Sequence, residues 1–355
     1  MVVRVTKPEF NIRSKLTEIE SLSGNHGSEI IKSETVEESF NLVQAGRKNF
    51  FINGACQVWQ RGTSNPNVNN YGCDRWWKAN GASQMDRSTD VPNNSFDGQG
   101  LPYSMKVTSN GSGSNIGQAI ELTGTGRTQF KEGKKYTMSF WAKTDSGTNE
   151  IGIVIYYRNS KFTGTNQVNW LPSVSPNVGI MDTTWRRFQY TFIAPPVNAN
   201  NNVLAIELGF TTTAYFTGLQ FEEGSQATPF EYRHYEEDFE LCRRYYQQIK
   251  PGTAFMQFGV GFTYGNQGDN TAILHVTVPT PMRTTPTFSY TGNLNQYYEP
   301  HAATISSITS ITLVQNDTEN KQFDLQVLGT ATTQKLMFIA TLNNTDTGFR
   351  FDAEL

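Results

Sequence analysis

A chain of 355 residues is longer than one hydrophobic core normally supports, which predicts two folded modules and a short extra segment. Apolar residues at 37%, charged residues at only 17% and 30 glycines exclude a disordered chain and fit β-sheets joined by loops. A formal net charge of −3, with no stretch that concentrates Lys and Arg among aromatics, argues against nucleic acid as a partner; no apolar run approaches the ~20 residues that cross a bilayer, so no membrane insertion is expected.

Residues 1–48 form the first segment. Phe10, Ile12, Leu16, Ile19 and Leu22 recur at three- and four-residue intervals, the period of a short helix with one apolar face. The polar stretch from Ser23 to Glu38 that follows lacks the apolar content for a domain. The segment reads either as an attachment arm or as a terminus ordered only by packing on its neighbour. No apolar h-region with a small-residue cleavage site is present, so no Sec-type signal is expected.

The second segment, residues 49–235, carries period-two alternation. Tyr136, Met138 and Phe140 point one way while Thr137, Ser139 and Trp141 point the other, and Phe188, Tyr190 and Phe192 repeat the rule. Leu204, Ile206 and Leu208 do the same in Val203 to Gly209, and Gly152 to Tyr157 is apolar enough for a central position. No helix of crossover length separates these strands. An antiparallel β-sandwich of jelly-roll type is expected, with Trp141 and Trp185 packing between its sheets and Asn110–Gly117 (NGSGSNIG) acting as a loop between strands.

In the third segment, residues 236–355, EEDFELCRRYYQQI has helical spacing through Ile249, acids in its first turn and basic residues later; Pro251 and Gly252 are expected to stop it. Short strands follow at Thr271–Val278, Ile305–Val314, Gln322–Leu328 and Lys335–Leu342, which predicts a C-terminal β-sandwich. The three prolines of VPTPMRTTPT (278–287) exclude a central strand there and mark an edge, a bulge or an extended crossing. The fold class is therefore mainly β, with one helical arm and one short helix.

A catalytic apparatus is hard to assemble from this chain. His26, His234, His275 and His301 lie in no zinc-binding spacing, and no GxSxG elbow, P-loop or GxGxxG occurs. The acidic pairs Glu222–Glu223 and Glu236–Glu237 are adjacent, which in a strand sends their carboxyls to opposite faces. Cys56, Cys73 and Cys242 are too few and too irregular for a disulfide scaffold; buried thiols are expected, a Cys56–Cys73 bridge being the alternative. A non-enzymatic protein is the expectation.

Binding chemistry has more material. Sugars are held by aromatic faces and by amide or carboxylate side chains bonding their hydroxyls. Trp77, Tyr157, Asn169 and Trp170 are the candidate carbohydrate-binding residues, with Trp76, Tyr156, Asn159 and Asn166 nearby. Trp76 and Trp77 are consecutive, so in a strand at most one of them faces the interior.

Three stretches carry a resemblance: VRVTKPEFNIRSKLTEIE (3–20) continuing to FNLVQAGRKNFFINGACQVWQRGT (40–63), FTGLQFEEGSQATPFEYRHYEEDFELCRRYY (216–246), and VPTPMRTTPT (278–287). Together they resemble the tail-fibre and receptor-binding proteins of tailed bacteriophages, especially those of cyanobacterial and other marine phages. The resemblance implies a virion protein that forms a homotrimer, attaches to a host-surface polysaccharide and joins other tail or virion proteins through its N-terminal arm. Depolymerase activity, or a purely structural connector or capsid-decorating role, is the alternative. Related jelly-roll modules often hold a structural calcium between opening and closing strands, which implies Asn53, Asp74 and Glu222 as its ligands here. The chain departs from that pattern where Ala55 and Cys56 follow Gly54, in place of a Glu common in those modules. Short apolar helices gain by packing together, which favours the trimer on separate grounds.

Overall fold

The computed structural model describes residues 48–355 except 68–69, 93–99, 123–129, 159–166, 170–176, 195, 197–202, 251–256, 265–270, 293, 299–305, 318, 330–335 and 342–347. The expected helix over Phe10–Leu22 and the arm 1–47 lie outside the described residues.

Eleven strands form one connected antiparallel network: β1 (Ser64–Asn65), β2 (Asn70–Tyr71), β3 (Trp77–Ser88), β4 (Ser104–Glu121), β5 (Lys135–Thr144), β6 (Asn149–Arg158), β7 (Gln167–Asn169), β8 (Asn177–Met181), β9 (Arg186–Ile193), β10 (Val203–Phe210) and β11 (Ala214–Glu223). Their order is β7-β6-β10-β4-β11-β5-β9, with β3 along β4 and β8 beside β6. The long β4 makes two layers out of this network by changing partner midway: Met105–Val107 pair with β11, and Ser114–Glu121 pair with β10. Alternation then sends Ile153, Ile155, Leu204, Ile206 and Leu208 from one layer against Met138, Phe140, Phe188 and Phe216 from the other. Each such side chain contributes about 1.5–3 kcal/mol on burial.

The glycine-rich stretch that the sequence suggests as a loop between strands lies instead inside β4. Ala82 pairs with Ser109 and Asn80 with Ser114, so residues 110–113 bulge out opposite the single residue Gly81. A Cβ on Gly81 would run into the Ser112 carbonyl, which is why the bulge needs glycine beneath it. Among the described residues the interior tryptophans are Trp76 and Trp59, not Trp141 or Trp185, and Trp76 is the more deeply buried. It is 1% exposed and stands edge-on to Phe51 at 5.1 Å. Trp141 is only half-buried beside the inward Phe140 and Ala142, and Trp185 lies outside the core, its indole N–H donated to Asp90 at 2.9 Å.

Closing strand and opening segment are stitched together by polar side chains. Glu231 accepts the backbone N–H groups of Lys48 and Asn49 (2.6 and 2.8 Å), and Asn49 Oδ1 accepts those of Phe51 and Phe221 (3.0 Å each). Arg233 donates to the carbonyls of Phe51 (2.8 Å) and Asn49. Gln220 accepts from Glu231 N–H (2.7 Å).

After this module comes α1 (Tyr235–Arg243), then β12 (Tyr246–Ile249), β13 (Gln257–Tyr264), β14 (Thr271–Thr277), β15 (Thr287–Thr291), β16 (Leu294–Tyr298), β17 (Ser306–Asn316), β18 (Gln322–Gly329), β19 (Leu336–Thr341) and β20 (Gly348–Asp352). The helix stops at Arg243, earlier than its spacing predicts. Tyr246–Ile249 is drawn into a strand by pairing with Phe349–Asp352, a partner about a hundred residues away that overrides local helical pattern. β13, β14, β18, β17, β16 and β19 close into a barrel, while β12, β20 and β15 form a three-stranded sheet. The C-terminal part is thus more specific than a pair of packed sheets, since closure leaves its strands without free edges. The proline-rich 278–287 segment crosses from β14 to β15 outside any strand.

A buried charge cluster joins the C-terminus to the sandwich. Glu354 pairs with Arg75 and, at 3.4 Å, with Arg61; Arg61 also lies 3.7 Å from Asp74. Each guanidinium covers a tyrosine ring, Arg61 over Tyr246 at 3.6 Å and Arg75 over Tyr245 at 3.5 Å. Tyr71 donates its hydroxyl to the Leu355 carbonyl at 2.7 Å.

Lys78 on β3 is fully buried, and its ammonium has no hydrogen-bond partner among the described residues. Burial, only partly opposed by Asp86, lowers its pKa to about 8. The folded chain therefore releases this proton near pH 8 while the unfolded chain holds it to the ordinary value of 10.5, so stability should rise as pH increases between the two. Lys78→Met is expected to stabilise the protein by about 1–3 kcal/mol at pH 7. Urea unfolding from pH 7 to pH 10.5 would show it, and a variant that keeps the wild-type pH slope would contradict the assignment.

Candidate functional site

The outer face of the β3-β4-β10-β6 layer carries a strip, called the trough below, in which Gly117, Gly152, Gly209, Ala79, Ala119 and Ala205 separate a few larger side chains. Cross-strand register places Trp77, Gly117, Glu207 and Val154 in one row, and Ala79, Asn115, Gly209 and Gly152 in the next. A third row runs Ala119, Ala205, Tyr156 and Asn169. All these positions share the face opposite the core, because the intervening Ile116, Ile206 and Ile155 point inward. Gly117 lets Glu207 lie flat across β4: a Cβ there would stand 2.7 Å from Glu207 Cγ and 2.6 Å from the Ile206 carbonyl.

Four side chains supply the chemistry. Trp77 is half-buried and held edge-on by Tyr71, ring centroids 5.0 Å apart, which leaves part of the indole available to a ligand. Glu207 accepts hydrogen bonds from Asn115 Nδ2 at 2.7 Å and from the Tyr156 hydroxyl. These partners hold the carboxylate in one orientation. At one end, Tyr156, Ala119 and Ala205 are covered by Tyr245 and Leu355, so the C-terminal residues wall off the trough there. A flat aromatic, an oriented carboxylate and an amide over a shallow floor suit a ligand with one apolar face and many hydroxyls.

The residues singled out from sequence separate in the structure. Trp77 faces the trough. Asn169 pairs with Tyr156 in the strand register. Tyr157, by contrast, is 2% exposed and belongs to the core between the sheets; its neighbour Tyr156 takes the other face but is itself only 3% exposed beneath Tyr245 and Leu355. Trp170 lies outside the described residues. Glu207 and Asn115 escaped sequence reading. The signal was available for Glu207: it interrupts the apolar strand VLAIELGF at a position whose neighbours Ile206 and Leu208 must both point inward.

Asn53, Asp74 and Glu222 do not fit a shared calcium site. Asn53 Oδ1 accepts the Gln57 and Val58 N–H groups, and its amide donates to the Val58 and Asp74 carbonyls. Asp74 is occupied by Gln60 and Arg61, and Glu222 by Thr228, Gln220 and, at 3.9 Å, Lys48. Ligands of a hard dication must have oxygen lone pairs to offer it, and these are spent on N–H and O–H donors or stand beside cations. Among the described residues no group of three His, Cys, Asp or Glu side chains is arranged for a metal. The three thiols are free and buried.

Residues 62–214 match the sequence profile of a family described as a carbohydrate binding domain. No curated protein sequence matches the chain. Among solved structures, the enzymatically active domain of bacteriophage CBA120 tailspike protein 4 is similar at 15% identity and TM-score 0.31, over 50% of this chain and 21% of that one. The CBM22-1 xylan-binding domain of Paenibacillus barcinonensis Xyn10C aligns at 13% identity and TM-score 0.31, over 51% and 100%. The N-terminal cellulose-binding domain of Cellulomonas fimi β-1,4-glucanase C aligns at 12% identity and TM-score 0.28, over 47% and 97%.

Proposed function

We propose that the protein is a non-enzymatic glycan-binding protein that uses the trough on the outer sheet face, with Trp77 as the stacking platform and Asn115 as the hydroxyl-recognising group, held in place by the buried Glu207, which Tyr156 supports from beneath. The observation that carries this reading is the convergence of those four side chains over the glycine-floored rows, within or beside the stretch 62–214 that matches a carbohydrate binding domain. The resemblance of the opening, closing and proline-rich stretches to phage fibres extends it. The chain acts as a virion tail fibre, a homotrimer that attaches to a host-surface polysaccharide and joins other virion proteins through residues 1–48. Three linked troughs would raise weak single-site affinity through avidity.

Glycan-array binding by the full chain tests the proposal. Trp77→Ala and Asn115→Ala are each expected to weaken binding by about tenfold, equivalent to ~1.4 kcal/mol, without altering the circular-dichroism spectrum. A full chain that binds no glycan sinks the reading. Release of reducing ends from the bound polysaccharide would replace it by a depolymerase. A solution mass other than three chains removes the trimer, and antibody labelling of particles tests the virion placement.

A further inference from the structure

A second cleft lies away from the sheet face, where the opening loop of the sandwich meets α1 and β12. Its volume is about 510 Å³, within the range of small-ligand sites. One wall is aromatic: Tyr235 and Phe239, one helical turn apart on α1, stack with centroids 5.5 Å apart and planes inclined by 16°. Tyr235 is 46% exposed, an unusual position for a large ring in a helix that otherwise packs Asp238 and Cys242 inward. Trp59 lies at the base, its indole N–H donated to the Cys56 carbonyl at 2.6 Å. Opposite stands Tyr103, with the Arg87 guanidinium 4.4 Å above its ring.

Polar groups between these walls are oriented. Gln57 Nε2 donates to Asp238 (2.9 Å) and to the Arg233 carbonyl (3.0 Å), and Gln60 Nε2 donates to Asp74 (2.6 Å) and to the Tyr246 carbonyl (2.8 Å). With its amide turned so that both neighbours are satisfied, Gln248 donates to the Gln60 carbonyl at 2.8 Å and accepts from Arg350 at 3.2 Å. The two charged side chains that line the cleft, Arg87 and Lys250, are both exposed cations, and no carboxylate lines it among the described residues. In a chain with net charge −3 this is a local reversal of sign.

We propose that this cleft is a second saccharide site, built for an acidic sugar. The exposed Tyr235 ring would stack on the C–H face of a pyranose, and Arg87 and Lys250 would meet its carboxylate or sulfate. Arg87 lies 4.4 Å above the Tyr103 ring and presents a fork matched to an oxyanion. The site draws its saccharide class from the proposed function but not its place. It combines Arg87 and Tyr103 from the stretch matched to a carbohydrate binding domain with α1 and β12 beyond it, and uses none of the trough residues.

Affinity electrophoresis of the full chain through gels containing polygalacturonate, its carboxyl-reduced neutral counterpart or dextran sulfate tests the inference. Retardation by at least one of the two polyanions is expected, falling with salt from ~50 to ~500 mM. Tyr235→Ala and Arg87→Gln should each weaken it by about tenfold, while Trp77→Ala leaves it unchanged. Retention by polygalacturonate alone identifies a carboxylate ligand, and retention by dextran sulfate alone a sulfate. The inference is overturned if neither polyanion retards the protein, or if retardation survives both cleft substitutions. It is also overturned if retardation disappears with Trp77→Ala, which would assign the acidic ligand to the trough. Neutral-glycan binding that depends on Trp77 is read separately on the array, so either site can fail alone.

Discussion

Replacing Glu354 by alanine is expected to lower unfolding stability by about 3–5 kcal/mol, the cost of leaving buried charge without its counterion. The side chain of Glu354 is 3% exposed, and those of its partners Arg75 and Arg61 are 1% and 9% exposed. Burial alone would lower the pKa of Arg61, yet the nearby Glu354 and Asp74 carboxylates raise it above its ordinary value, so the guanidinium stays charged; burial raises the pKa of Asp74 to about 6, only partly opposed by Arg61. Removing Glu354 strands the buried Arg75 guanidinium, which keeps the Tyr245 ring and the Ala119 carbonyl but loses its carboxylate, while Arg61 retains Asp352 at 3.3 Å and Asp74 at 3.7 Å. Because the cluster joins the C-terminus to the sandwich, the variant should also uncouple the two parts, and urea unfolding should resolve into two steps. A single transition within ~0.5 kcal/mol of wild type would show that the cluster is energetically idle.

Arg233→Ala should be comparably severe, again about 3–5 kcal/mol. Arg233 is 8% exposed and ties the closing segment to the opening one through the Phe51 and Asn49 carbonyls, Glu231 at 3.2 Å and Asp238 at 3.7 Å. Its loss leaves two carboxylates and two carbonyls buried without the donor they share. Arg233→Lys should recover only part of the loss, since a single ammonium lacks the planar fork that reaches both carbonyls. Thermal unfolding of the three proteins checks the ranking. A lysine variant as stable as wild type would mean that charge alone suffices.

That second prediction explains why residues 216–233 stand out in the sequence. Gln220, Glu222, Thr228, Glu231 and Arg233 are all buried or nearly so and bond one another or residues 48–54, so each is constrained by a partner rather than by solvent. Such a stretch is recognisable as a pattern even when its contacts are unknown. Trp77, on a strand whose preceding residue is the buried Trp76, was similarly readable, because two adjacent tryptophans cannot both face one core.

Period-two alternation in the sequence alone determined that the chain is mainly β, that Tyr136–Lys143, Phe188–Phe192 and Val203–Gly209 are strands, and that their apolar faces must meet. Alternation is a local property and survives in one dimension. Pairing is not local. Only the tertiary structure decided that Tyr246–Ile249 leaves its helix for β20, that residues 110–113 bulge over Gly81 inside one strand, and that the last strands close into a barrel. Only register across β3, β4, β10 and β6 could align Trp77 with Glu207 through Gly117 while turning Tyr157 inward. A shift of one residue in any of those strands would exchange its two faces, and nothing in a strand's own sequence states which residue will lie opposite it.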